Sequence, residues 1–154
     1  MGKFHTLAAV AAALSSLAVS SPVAATPASD AAALRKLDIM LMVSSLRCRF
    51  GGDNFQSDYE QFSTSQHATM QAAYATLQAD YNARLGPAKA KKALDTISVS
   101  MANQYGQGHP WLGCGDLKAM TRDLAGTGDR ARLLAVADDV LRDSPSAVYL
   151  ASRR

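Results

Sequence analysis

"AAALRKLDIMLMVSSLRC", residues 31–48, is the stretch on which the fold turns. Leu34, Leu37, Leu41 and Cys48 share one helical face, whereas Ile39, Val43 and Leu46 fall on the other. A helix that is apolar on all sides belongs in the middle of a bundle, with other helices around it. Asp38 stands among these apolar residues. A lone acid without a placed partner is a poor catalytic signal, so Asp38 is expected at an edge of the core, paired with a neighbouring arginine. Asp30, just ahead of the run, is a suitable N-cap.

Moving outward, "RFGGDNFQ" breaks this helix at Gly51–Gly52. Ser57 and Glu60 have capping-box spacing and predict a long helix over Asp58–Leu85. Tyr59, Phe62, Met70, Ala73, Leu77 and Tyr81 form its apolar stripe, which helical spacing assigns to packing. Gly86 and Pro87 read as a stop followed by a restart. The next helix, 87–104, places Ala90, Leu94, Ile97 and Met101 together. Beyond a Gly-rich loop, Asp116 is expected to cap a short helix holding Leu117, Met120 and Leu124. Gly126–Gly128 make a turn, Asp129 caps "RARLLAVADDVLR", and Ser144–Pro145 end that last helix. No internal repeat and no alternating strand pattern is present. The expectation is all-α: a single-domain bundle of about five helices over residues 26–154, with 144–154 as a loose tail and one disulfide.

Residues 1–25 have the three parts of an export signal: Lys3 in the leading region, the apolar "TLAAVAAALSSLAV", and "SPVAA" with small residues at the end. Cleavage is expected between Ala25 and Thr26. The apolar part falls short of the roughly 20 residues that span a bilayer, and "LDIMLMVSSL" reads as a buried helix. The remaining protein is therefore expected in the periplasm or secreted, without a transmembrane segment. Removing Lys3 lowers the formal charge from +3 to +2. So small a balance argues against nucleic acid as a partner, because that affinity is built from many phosphate contacts.

"QYGQGHPWLGCGDLK", residues 104–118, collects a His, the single Trp, a Cys and four glycines. Gly106 and Gly108 lack the third glycine of a dinucleotide fingerprint, since Trp111 stands in its place, and no strand precedes them. A C-x-x-C-H haem attachment is absent. No cofactor is implied. Cys114 as a thiolate with His109 as its base is a conceivable thiol-dependent enzyme. Two cysteines in an exported chain point instead to a Cys48–Cys114 bond. Cys48, His67, His109 and Cys114 supply the number of ligands for zinc, but their spacings fit no zinc finger, so no metal is expected. Tyr105, His109 and Trp111 remain as a candidate binding loop, with Trp111 plugging the end of the bundle as the structural alternative. Lys89, Lys91 and Lys92 form a candidate basic face at the start of their helix, where positive charge opposes the helix dipole.

The runs "LDIMLMVSSLRCR" and "MANQYGQGHPWLGC" together resemble a group of small exported all-α proteins of Gram-negative bacteria. A label sometimes attached to such sequences is S-adenosylhomocysteine hydrolase. That activity implies two large domains and a Gly-rich cofactor loop, neither of which this chain offers, so the resemblance supplies no catalytic residues. The expected function is a non-enzymatic binding or interaction module whose ligand is a protein or a small molecule. Peripheral association with the envelope would use the lysine face and the basic Arg153–Arg154 end.

Overall fold

A computed structural model describes residues 26–143. The expected export signal and the 144–154 tail lie outside the described residues. Among the described residues six α-helices form the bundle, rather than five: α1 (Pro27–Arg47), α2 (Gln56–Ser65), α3 (His67–Leu85), α4 (Pro87–Tyr105), α5 (Cys114–Gly126) and α6 (Arg130–Val140). A 3₁₀ turn, Cys48–Phe50, follows α1. No strand occurs among the described residues.

The helix apolar on all sides is the axis. α1 touches each of the other five α-helices, and Leu34, Leu37, Met40 and Leu41 have no exposed surface. Phe55, Phe62, Leu124 and Leu133 are buried around them. The cap of α1 is Thr26, not Asp30. Thr26 Oγ1 accepts from the Ser29 N–H while Ser29 Oγ accepts from the Thr26 N–H, and Pro27 suits the first helical position because its missing donor is not needed there. Asp30 sits inside the first turn, 3.6 Å from Arg130.

The additional helix comes from a break within the expected 58–85 segment. Its backbone hydrogen bonds run on through Gln66, which donates to Phe62 O and accepts from Met70 N–H. The break falls at Gln66, whose φ of −96° and ψ of 6° depart from helical values. The Gln66 side chain is buried, and its Nε2 donates to Leu124 O at 3.0 Å and Thr127 O at 2.6 Å. These carbonyls belong to the end of α5, which a helix leaves unsatisfied. Neither glycine nor proline marks the spot, so local sequence gives no signal.

Other starts also shift. α2 begins after buried Phe55, with Asn54 Oδ1 accepting from the Gln56 N–H, and the Ser57–Glu60 capping box does not form. Asp58 is held instead by Arg122 of α5 at 3.0 Å. At α5, Asp116 works from the third helical position, accepting from the Gly113 N–H. Asp129 does cap α6, accepting from the Ala131 N–H. Gly86, at φ 79°, makes the reversal between α3 and α4 that other residues avoid.

Candidate functional site

The Gly-rich loop closes one end of the bundle. Cys48, just past α1, and Cys114, the first residue of α5, lie at disulfide distance, Sγ–Sγ 1.98 Å and Cα–Cα 5.8 Å. Gly108 has φ 117°, and a Cβ there would come within 3.0 Å of Arg47 Nε, so glycine lets the loop lie against the end of α1.

The aromatic residues of the loop stack in series. Tyr105 and His109 rings lie 5.3 Å apart, and Trp111 meets His109 edge-on at 4.9 Å. Tyr105 is fully buried, and burial, with Asp143 adding to it, pushes its phenol above the ordinary value. His109 Nε2–H donates to Val140 O at 2.9 Å, which fixes the tautomer because a carbonyl only accepts. Its Nδ1 accepts from the Leu112 and Trp111 N–H groups at 3.2 and 3.4 Å. Trp111 Nε1 donates to Arg142 O. His109 and Trp111 thus satisfy carbonyls at the end of α6, and α6 stops at Val140, before the expected Ser144–Pro145. Burial lowers the His109 pKa below its ordinary value, and the Val140 hydrogen bond offsets this in part. With both ring nitrogens engaged and Cys114 bonded to Cys48, the loop holds no thiolate and no free base for one.

The lysine face is separate. Lys89, Lys91 and Lys92 are all exposed at the start of α4, and the loop follows the other end of that 19-residue helix. The two candidate features are therefore on the order of 20 Å apart. His67 lines a different cleft from the loop. Among the described residues no group of three or more His, Cys, Asp or Glu side chains is placed to hold a metal ion. No described helix is long and apolar enough to cross a membrane.

A groove runs alongside the Tyr105 end of α4. α4 and α6 both pack on α1, but no substantial packing joins them to each other. The space between has a volume of about 830 Å³. Ala32, Ala33 and Ala137 make it smooth, and Met101, Leu134 and Leu141 make it apolar. Asp30, Lys36, Asp138 and Arg142 stand around it, the last two paired with each other. Tyr105 lines it as well, linking the groove to the loop. Sequence reasoning did not find this groove. Its α1 side carries Ser29, Asp30, Ala32, Ala33 and Lys36, small or polar residues that leave no apolar stripe to read. Comparison with known protein families, curated proteins and solved structures returned no match.

Proposed function

We propose that the protein is a non-enzymatic binding module, exported to the periplasm or secreted, whose α4–α6 groove takes an amphipathic helical segment of a partner protein. The observation that carries this reading is the uncovered sector of α1. Helices α4 and α6 both pack on α1 yet leave the sector between them open, and the gap has helical walls and small alanines that let a backbone approach closely. Partner helices dock into such apolar grooves through residues spaced three and four apart. Rim residues of both charges suit a helix with a mixed polar face. The Cys48–Cys114 pair supports an oxidising compartment, in which N-terminal sequencing should find Thr26 first. Peripheral attachment through Lys89, Lys91 and Lys92 is not needed for this reading.

Selection from a display library of short amphipathic peptides tests the groove. The single Trp111 reports directly, because its indole donates to the backbone of groove-lining Arg142. Selected peptides should change Trp111 emission, and Ala33→Phe should abolish the change while leaving the unfolding transition in place. Peptides that bind wild type and Ala33→Phe equally would overturn the assignment. So would saturable binding of dodecyl maltoside monomers that Ala33→Phe abolishes, with no peptide selected, which would make the groove's ligand a small amphiphile.

A further inference from the structure

A second concavity, of about 450 Å³, lies where α1, α2 and α3 meet. Its size falls in the range of small-molecule sites. Unlike the groove it is polar. Arg35 and Asp38 come from α1, Tyr59 from α2, and His67, Gln71 and Tyr74 from α3.

The charges in it are already matched. Arg35 Nη1 donates to Asp38 Oδ2 at 3.1 Å, and the Tyr59 hydroxyl donates to Asp38 Oδ1 at 3.0 Å. Arg35 also lies over the Tyr74 ring, 5.8 Å from its centroid, and reaches Ser98 Oγ at 3.5 Å. Burial, followed by the Asp38 carboxylate, pushes the Tyr59 phenol upward, which keeps it protonated as the donor.

The hydrogen-bonding capacity, however, is far from used. A carboxylate offers about four acceptor sites and a guanidinium five N–H donors. Asp38 receives one bond on each oxygen, and Arg35 directs one N–H at Asp38 and another at Ser98. The side chains of Gln71 and His67 have no hydrogen-bond partner among the described residues. Spare donors and spare acceptors therefore stand side by side. A phosphate or carboxylate ligand would bring negative charge against Asp38, while an ammonium only donates and would face Arg35. A hydroxyl does both. Adjacent hydroxyls also match the paired atoms of planar carboxylate, amide and guanidinium groups, and the Tyr59 and Tyr74 rings offer surface for the C–H side of such a ligand.

We infer that the Arg35–Asp38–Gln71–Tyr74 cleft is a binding site for a neutral polyhydroxyl ligand of the mono- or disaccharide class. It is independent of the α4–α6 groove, being formed by α2 and α3 on another side of α1. The test is titration of ¹⁵N-labelled protein, residues 26–154, with maltose, glucose, N-acetylglucosamine and sorbitol. Inorganic phosphate and putrescine serve as the charged comparisons. One or more of the neutral probes should shift the resonances of Asp38, Tyr59, Gln71 and Tyr74 saturably. Gln71→Ala and Tyr74→Ala, both at solvent-facing positions, should each weaken that probe by about tenfold, as loss of one hydrogen bond or ring contact does, with unfolding unchanged. Silence of all four neutral probes would overturn the inference. Equal binding by both variants, or tighter binding of phosphate or putrescine than of any neutral probe, would overturn it as well.

Discussion

Cys48→Ala and Cys114→Ala give the sharpest test of how the bundle is held. The two sulfurs close a loop with a sequence separation of 66. Restricting an unfolded chain by a closure of that length is worth about 4 kcal/mol in the chain-entropy treatment. That is a large share of the roughly 5–15 kcal/mol by which a domain is stable. Cys48 is buried, so its truncation also removes packing, whereas Cys114 is half-buried and loses less. Each single variant should therefore lose about 4 kcal/mol, Cys48→Ala slightly the more. The double variant should lose little beyond either, because the bond is broken only once. Urea unfolding at a slope of about 2 kcal/mol/M reads this as a midpoint lowered by about 2 M. Dithiothreitol should bring wild type down to the variants and leave the variants where they are. Additive losses in the double variant, or a wild type indifferent to reductant, would refute the crosslink and return Cys114 to consideration as a thiol.

Gln66→Ala should cost about 2–3 kcal/mol in the same assay, since it strands two carbonyls at the end of α5 that the amide now satisfies; a loss near zero would show that water replaces the amide. His109 titrates below its ordinary 6.5 when folded, so the unfolded chain binds the extra proton first. Its contribution is complete above pH 6.5 and is lost as pH falls from 6.5 toward the lower folded value; His109→Gln should remove that slope from a stability-versus-pH series. Trp111→Ala should destabilise by about 2 kcal/mol, less than a fully buried tryptophan, because the ring is half-buried against His109; an unchanged midpoint would assign Trp111 to ligand contact alone.

Much of the fold is legible because it rests on periodicity. The run 31–48 announced a central helix, and Phe62, Ala73, Leu77, Leu94 and Met101 face the core as their spacing required. The Arg35–Asp38 pair also follows from a lone acid among apolar residues. Gln66 was not legible, because its effect depends on carbonyls 58 and 61 positions away. The same holds for His109 and Trp111. A His and a Trp beside a Cys in a glycine loop look like chemistry, yet both are drawn in by unsatisfied carbonyls at the end of a helix 31 positions further on. Local sequence shows which groups are available for hydrogen bonds. It does not show which distant groups need them.

The two clefts have one origin. Away from its two end turns, α1 carries charge only at Arg35, Lys36 and Asp38. Successive positions on a helix point about 100° apart, so Lys36 is delivered toward the α4–α6 groove, and Arg35 and Asp38 toward the cleft against α2 and α3. A helix buried on every side could not hold three charges there, because an unpaired buried charge costs several kcal/mol. Asp38 meets that constraint by pairing with Arg35 and Tyr59, and exposed Lys36 meets it by facing the open groove. The concavities beside α1 are thus where the sequence places charge on its central helix, and filling either with apolar side chains would strip water from those charges. For that reason a substitution such as Ala33→Phe should block the groove at a rim that remains solvated, while an apolar replacement of Gln71 and Tyr74 together should be tolerated only if Arg35 and Asp38 stay paired.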